Sequence, residues 1–245
     1  MDPEYERETL AIEDRHWWYV SRRRLLSVIV ESLELEPGSD ILDAGCGSGR
    51  NLEWLGRFGP TIGLELSAAG LAIAERRGLG TVVKGSVEAI PLPDRSVDLA
   101  VCLDVLEHVD DRLGLSELHR VVRPGGNLLV TVPAYAWLWG QHDVQNQHLR
   151  RYTRTTLFAA ASQTGWAPRW SSYFNSLLFV PAAAYRLLAE YADRKWRRRP
   201  ASDFQATPGL LNPVLRVPGV IEAAFVRRGG RLPLGLSLVA VLSKR

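Results

Sequence analysis

The sequence has few of the features that mark specialised classes of protein. Only two of its 245 residues are cysteines, Cys46 and Cys102, which is too few for a disulfide framework. The net charge of +3 is too small to indicate a nucleic-acid partner. Internal repeats and low-complexity tracts are absent. With 46% apolar and 23% charged residues, the composition is typical of an ordinary globular protein.

Long hydrophobic runs are also missing. The longest apolar stretch, residues 176–192, is interrupted by Pro181, Arg186 and Glu190 and is shorter than the ~20 residues that a membrane span requires. The first eight residues include four acidic ones, where a secretory leader would be cationic. We therefore expect a cytoplasmic protein, with peripheral contact at the inner face of the membrane left open.

The most informative segment is residues 40–50, DILDAGCGSGR, in which a short strand precedes a glycine-rich turn that opens a helix. Gly45, Gly47 and Gly49 allow a ligand to lie against bare backbone near the positive end of that helix. A second strand ends at Glu65, and an acid at this position can accept hydrogen bonds from both hydroxyls of a ribose. Together these features predict a nucleoside cofactor on an α/β fold.

The glycine spacing indicates which nucleoside is bound. A dinucleotide site has the pattern G-x-G-x-x-G, whereas here Arg50 occupies the position of the third glycine. Asp43, two residues before the first glycine, would repel a pyrophosphate but suits a cationic ligand. S-adenosylmethionine carries an ammonium and a sulfonium and no phosphate. This cofactor is favoured, and nicotinamide-dependent oxidoreduction is disfavoured.

Five ordered blocks, residues 40–50, 63–67, 84–94, 96–109 and 118–130, carry a family resemblance. In them the chain resembles the class I S-adenosylmethionine-dependent methyltransferases of the small-molecule branch. It is similar both to quinone-biosynthesis enzymes and to bacterial methyltransferases with a His-Trp-Trp segment. The resemblance implies a Rossmann-like α/β sheet that is mostly parallel, with its last strand antiparallel. The strand–helix–strand alternation from Ile41 to Val132 independently indicates a parallel sheet.

The resemblance also assigns a cofactor site. Asp43 would orient the glycine loop and favour the cofactor's ammonium, Glu65 would bind the ribose, and Ser86 with Val87 would contact the adenine. Ser86 stands where the family often has Asp, and its hydroxyl is a weaker acceptor for the adenine amino group. The cofactor-binding residues are expected to be Asp43, Ala44, Gly45, Cys46, Gly47, Gly49, Glu65, Leu66, Ser86, Val87, Glu88 and Leu103.

Three histidines are candidate general bases, namely His108, His142 and His148, because methyl transfer to a neutral hydroxyl requires a proton acceptor. For each, a packed or hydrogen-bonded structural role is the alternative. Asp104, Glu107 and His108 are spaced to lie on one helical face. This spacing resembles a divalent-metal site in some quinone-biosynthesis O-methyltransferases, but it also occurs in relatives with no evident metal. We therefore expect no metal.

Aromatic and basic residues near these segments are candidate substrate contacts. Residues 16–19, His-Trp-Trp-Tyr, could form a lid over the cofactor, with Arg22 reaching an acid, or pack as an ordinary helix on the sheet. The polar loop 141–152 could bind substrate, or its hydrogen bonds could simply make the floor of the site rigid. The candidate substrate residues are Trp18, Tyr19, Tyr135, Arg151 and Tyr152.

We divide the chain into an N-terminal helical lid (1–38), a cofactor-binding core (39–174), a helical insertion (175–234) and the final core strand (235–245). The sixth strand is predicted at 166–174, but the only good candidate for a seventh is at 236–242. The segment between them is predicted to hold two amphipathic helices, about 177–196 and 212–227. An insertion at this edge of the sheet would overhang the active site.

The insertion contains the one dense basic run, residues 194–199. It is interpreted as a solvated helix end, as part of an interfacial helix on an anionic membrane, or, least well, as an RNA contact.

We expect O-methylation of a small or amphipathic, lipid-like acceptor, since residues 103–106 (LDVL) lack the N-P-P-[FY] motif of some nitrogen-methylating enzymes. The alternative is a catalytically silent S-adenosylmethionine-binding scaffold or partner subunit at a membrane surface.

Overall fold

A seven-stranded sheet forms the centre of the molecule in a computed structural model that describes residues 12–186 and 211–245. The strands are β1 (Ile41–Ala44), β2 (Thr61–Glu65), β3 (Thr81–Lys84), β4 (Val97–Leu103), β5 (Val122–Pro133), β6 (Trp166–Phe174) and β7 (Ser237–Lys244). The helices are α1 (Trp17–Glu31), α2 (Leu52–Leu55), α3 (Ala68–Arg77), α4 (Asp111–Val121), α5 (Gln141–Gln145), α6 (Arg154–Gln163) and α7 (Leu211–Arg227), with short 3₁₀ turns at Leu106–His108 and Ala136–Leu138.

The strand order is β3-β2-β1-β4-β5-β7-β6. Neighbouring strands from β3 to β5 pair in parallel, whereas β7 pairs antiparallel with both β5 and β6. This topology confirms the predicted Rossmann-like sheet with an antiparallel last strand. The sheet order reverses beside β1, so β1 and β4 end next to each other at the edge where ligands bind in open α/β sheets.

Alternating residues of the central strands supply two hydrophobic layers. In β4, Leu99 and Val101 face one side while Ala100 and Cys102 face the other, and all four are fully buried. One layer packs against α4 and α6, and the other against α1 and α7. Both cysteines are buried free thiols, as the sequence indicated.

Helix α1 lies over the sheet with its apolar side inward. Leu25, Leu26 and Ile29 are buried in the layer that α7 shares. The N-cap is His16, whose side chain accepts a hydrogen bond from the Trp18 backbone N–H. Residues 1–11 of the predicted N-terminal lid lie outside the described residues.

The insertion between β6 and β7 has two described parts, helical residues 179–186 and α7. The buried Glu222 of α7 holds them together, because its two carboxylate oxygens accept the backbone N–H groups of Asn175 (2.7 Å) and Leu177 (2.9 Å). The rest of the predicted first helix and the basic run 194–199 lie outside the described residues. None of the described helices meets the length and hydropathy of a membrane span.

Side-chain hydrogen bonds fix the starts of two further helices. Thr153 caps α6, accepting from the Thr156 N–H. Residues 141–152, expected to be a loop, instead begin with the short helix α5. The carboxylate of Asp143 accepts the Gly140 N–H at the start of α5, which accounts for this difference.

Candidate active site

A cavity of about 930 Å³ opens at the carboxyl ends of the parallel strands. Its walls come from three parts of the chain: the glycine loop with the ends of β2 and β4, the first turns of α1, and the insertion. Loop 142–151 closes the remaining side. The volume is at the upper end of the range for small-molecule sites, so it has room for more than one ligand.

The glycine loop turns sharply beneath this cavity. Gly45 and Gly47 have left-handed φ angles of 84° and 56°, which side chains rarely tolerate. A Cβ on Gly45 would lie 2.4 Å from Cγ2 of Val105, so a larger residue there would displace the segment after β4. Gly49 does not line the cavity; an added Cβ there would meet Cβ of Ala74 at 3.0 Å, so this glycine lets α3 pack closely.

Glu65 is held at the end of β2 by the backbone on both sides. Its Oε2 accepts the Gly47 N–H at 2.7 Å, and its Oε1 accepts the Ser67 N–H at 2.7 Å. The side chain lines the cavity next to the glycine loop. An acid fixed in this position can bind the hydroxyls of a ribose.

Asp43 lies beneath the loop and does not line the cavity. It is fully buried, and neither carboxylate oxygen has a hydrogen-bond partner in the described part of the chain. Burial raises the pKa of Asp43 to about 7, although the nearby guanidinium of Arg22 opposes the rise. A positively charged ligand above the loop would favour the ionised form of this buried acid.

Two arginines of the cavity wall, Arg22 and Arg50, are already engaged by acids. Arg22 forms an ion pair with Asp104, as expected of an arginine that reaches an acid. Arg50 contacts Asp14 at 3.0 Å and Glu53 at 2.6 Å. Since these guanidinium groups are neutralised within the protein, the glycine loop fits a cationic cofactor better than a pyrophosphate.

The remaining predicted cofactor residues divide into two groups. Leu66, Ser86, Val87 and Leu103 line the cavity together with Cys46. Ala44 and Glu88 do not; Glu88 Oε1 instead accepts the Asp110 N–H at 2.9 Å. Burial, with the charge of Asp43, raises the pKa of the Cys46 thiol, so it is not a nucleophile at neutral pH.

His148 belongs to a hydrogen-bonded chain that is buried in the wall. Its Nδ1 lies 2.8 Å from Oδ1 of Asp143, and Arg151 donates to both oxygens of that carboxylate at 2.8 and 2.9 Å. Burial raises the pKa of Asp143, but hydrogen bonds from His148 and Arg151 outweigh burial and hold it well below its usual range. An ionised Asp143 keeps the neutral imidazole protonated on Nδ1 and leaves Nε2 as an acceptor.

The other two histidines also reach the cavity but are differently placed. Burial lowers the pKa of His108 to about 4, with a contribution from His148, whose ring lies edge-on at 4.7 Å. Burial, then Arg186, lowers the pKa of His142 to about 3. The ring nitrogens of His142 lie 3.2 and 3.3 Å from the Asn146 amide. Both histidines are therefore neutral at physiological pH.

The expected helical face of Asp104, Glu107 and His108 is wrong. Asp104 has a φ of 57° at the end of β4 and turns its carboxylate to Arg22, whereas the other two lie in the 3₁₀ turn that follows. Ligand atoms of Glu107, His108 and His148 instead lie within 4.8 Å of one another. Burial and the charge of Asp104 raise the pKa of Glu107 well above its usual range.

Three of the five predicted substrate residues, Trp18, Tyr19 and Arg151, line the cavity. Trp18 and Tyr19 line it, with the Arg22 guanidinium 4.6 Å from the Trp18 ring. Arg151 borders the cavity, but its guanidinium is bound by Asp143.

The other two predicted substrate residues do not line the cavity. The hydroxyl of Tyr152 donates to Asp111 at 2.9 Å, and Tyr135 stacks on Tyr173. For these two residues and for Arg151, the geometry favours the alternative of a hydrogen-bonded loop that makes the site rigid.

Sequence reasoning missed several wall residues. Those from the insertion are Leu178, Pro181, Ala182, Tyr185, Arg186 and Leu215, joined by Leu236 at its end. The spacing of Leu178, Pro181, Ala182 and Tyr185 is helical, which was a detectable signal, but the same pattern also fits a face packed on the sheet. The insertion therefore overhangs the cavity, as its position in the chain suggested.

Comparison with known proteins agrees with this geometry. Residues 42–130 match the family described as "Methyltransferase domain". A probable S-adenosylmethionine-dependent methyltransferase of Mycolicibacterium smegmatis is 33% identical over 132 residues, covering 52% of this chain and 50% of that protein. The malonyl-[acyl-carrier protein] O-methyltransferase of Serratia marcescens is 36% identical over 114 residues, covering 45% of each.

The fold extends beyond the region of sequence similarity. A Haloferax volcanii putative methyltransferase, solved in complex with the Trm112 methyltransferase activator, is similar with a TM-score of 0.64 at 19% identity and covers 98% of this chain and 94% of that one. The chain spans about half the length of the two curated relatives above. The fold is thus shared over nearly the whole chain, well beyond the segment that matches the family in sequence.

The ribose assignment of Glu65 gives a direct prediction. Replacing Glu65 with Ala removes both acceptor oxygens, so we expect the dissociation constant for S-adenosylhomocysteine to rise roughly 30- to 100-fold. Isothermal titration calorimetry measures this change. Glu75→Ala, at an exposed position on α3, is the matched control and should bind like the wild type. Equal affinities of the two variants would refute the ribose contact.

Proposed function

We propose that this chain, which contains a class I S-adenosylmethionine-dependent methyltransferase domain, transfers a methyl group to an oxygen of a small or amphipathic acceptor. When bound, S-adenosylmethionine supplies a methyl group on a positively charged sulfur, ready for in-line transfer to a nucleophile. The observation that carries the proposal is the pairing of two features in one cavity. One is the glycine loop at Gly45, which with Glu65 fits a positively charged cofactor. The other is the hydrogen-bonded pair of His148 and Asp143.

His148 is the general base in this proposal. Its Nδ1–H donates to Asp143, which leaves Nε2 to accept the proton of an acceptor hydroxyl as the oxygen forms its bond to the methyl carbon. Asp143 fixes the ring and stabilises the imidazolium that results, and Arg151 fixes Asp143. Arg151 is therefore a positioning residue and not a substrate contact.

The neutral state of the neighbouring groups supports this role. His108 and His142 border His148 with lowered pKa values and do not place a second positive charge beside a forming imidazolium. Burial and the charge of Asp104 raise the pKa of Glu107, which also lines the cavity, and so favour its uncharged form beside His148. The groups around His148 are thus arranged for one proton transfer.

The remaining walls favour an acceptor with apolar surface. Leu178, Pro181, Ala182 and Leu215 present apolar side chains, and Trp18 closes the opposite side. These groups exclude water and hold the acceptor oxygen by packing, which supplies the alignment that methyl transfer requires. The Serratia relative is named as an O-methyltransferase, which supports oxygen as the acceptor atom.

The test is a transfer assay with methyl-labelled S-adenosylmethionine against panels of hydroxylated, carboxylated and amine-bearing amphipathic compounds. We expect label to appear in oxygen acceptors and transfer to be lost in the His148→Gln variant. A protein that binds the cofactor but labels nothing in any panel would be the silent scaffold considered above. Label in amines alone would contradict oxygen as the acceptor.

A further inference from the structure

The solvent side of α7 is almost entirely apolar. Its exposed large side chains are Leu211, Val214, Val217, Val220, Ile221 and Phe225, which we call the α7 apolar face. Val214 is 62% exposed and Ile221 54%. The opposite side of the helix packs inward through Gly219, Ala223 and Val226. Within α7, Arg227 in the last turn is the only charged residue that is exposed.

A surface helix normally turns charged residues to water and its apolar stripe to the core. Here both sides are apolar, and packing against residues 12–186 and 228–245 accounts for only one of them. Exposed apolar surface of this kind marks a site of association with a partner or a lipid surface.

The apolar face continues onto the other described part of the insertion. Leu177, in the turn before helical residues 179–186, and Val180, within them, are exposed. Tyr185 is both exposed and part of the cavity wall. The cavity and the α7 apolar face therefore share the same two helical segments.

The net positive charge of the insertion indicates that an anionic partner fits this surface. Residues 175–234 contain ten Lys and Arg against four Asp and Glu, a net charge of +6, whereas the rest of the chain has 20 against 23 and a net charge of −3. Among the described insertion residues, Glu222 is the only acid, and it is buried as the cap of the preceding segment. Arg227, Arg228 and Arg231 follow the apolar face and are exposed.

We propose that the α7 apolar face is a docking surface for an anionic lipid bilayer. The apolar side chains enter the region between headgroups and acyl chains, and the arginines that follow them contact acidic headgroups. A second copy of the chain fits less well, because a two-fold contact would bring the same basic residues face to face. The docked orientation places the mouth of the cavity beside the membrane, where an amphipathic acceptor would enter.

Vesicle sedimentation tests this surface without any acceptor or cofactor. We expect the full chain to bind vesicles of phosphatidylcholine with about 30% phosphatidylserine, and to bind pure phosphatidylcholine vesicles at least tenfold more weakly. The double variant Val217→Glu with Ile221→Glu should abolish binding. The matched control is Leu113→Glu, which places the same charge at an exposed leucine of α4 and should bind like the wild type.

The contribution of charge is tested by Arg228→Gln with Arg231→Gln, for which we expect a roughly 20-fold loss of affinity for anionic vesicles. Arg24→Gln with Arg112→Gln removes two exposed arginines elsewhere and should change binding little. Absence of vesicle binding by the wild type, or binding unaffected by the α7 variants, overturns the proposal. A dimer in light scattering that the α7 variants dissociate, without vesicle binding, would assign the face to a second copy.

Lipid binding can be tested independently of the proposed methyl transfer. Affinity for S-adenosylhomocysteine, measured on the same variants, should match the wild type because the substituted residues do not line the cavity. If the protein binds lipid but transfers no methyl group, the docking surface stands and the proposed function is contradicted. If it transfers a methyl group but binds no lipid, the proposed function stands and the docking surface is contradicted.

Discussion

We expect the His148→Gln variant to lose 10²- to 10⁴-fold in the rate of methyl transfer to an oxygen acceptor, a range typical of a lost general base. Glutamine can still donate a hydrogen bond to Asp143 but cannot accept a proton at neutral pH. The loss should fall on kcat, measured under saturating cofactor by release of S-adenosylhomocysteine. Affinity for S-adenosylhomocysteine, measured by calorimetry, should stay within about threefold of the wild type.

His119→Gln is the matched control for this experiment. His119 lies on α4 against the Trp166 ring, away from the cavity, so its replacement should leave transfer unchanged. His108→Gln separates a base from a packing residue, because we expect only a modest effect there. If His108→Gln abolishes transfer and His148→Gln does not, the base has been assigned to the wrong histidine.

The second large effect concerns the dependence of stability on pH. The pKa of Asp43 is about 7 in the folded protein, against 3.8 for an exposed carboxyl. The folded state therefore holds a proton that the unfolded state releases. The stability from this group is complete below about pH 4 and is lost as the pH rises towards 7 and above. A shift of this size corresponds to about 4 kcal/mol of unfolding free energy.

Asp43→Asn should remove this dependence, so without cofactor the variant should be more stable than the wild type at about pH 8.5 and similar to it at about pH 4.5. Urea denaturation at the two pH values measures the difference. Asp94→Asn, at an exposed aspartate, is the control and should shift stability equally at both. A stability gap between Asp43→Asn and wild type that does not change with pH would show that Asp43 is ionised in the folded protein.

The cofactor loop could be predicted from sequence because every part of it is local or follows from strand order. Gly45 and Gly47 need left-handed backbone angles, and the motif encodes both. Glu65 ends the neighbouring parallel strand, so the topology alone brings its carboxylate to Gly47. The five sequence blocks therefore predicted the parallel part of the sheet as well as the position of the glycine loop beside Glu65.

The rest of the candidate site depends on side-chain contacts that no local sequence pattern specifies. Asp43 looked like a ligand contact in the sequence, yet the strand buries it beneath the loop. The helical spacing of Asp104 and His108 was misleading, because an ion pair with Arg22 draws Asp104 out of the following turn. His148 was one of three equal candidates until its hydrogen bond to Asp143 distinguished it.

The most direct test of the central claim is a calorimetric titration of the wild-type protein with S-adenosylhomocysteine, with NAD titrated in parallel. The account predicts one molecule of S-adenosylhomocysteine per chain and no heat from NAD, because the glycine loop lies above Asp43 and beside arginines that are already paired. Binding of NAD by a folded sample that gives no heat with S-adenosylhomocysteine would contradict it.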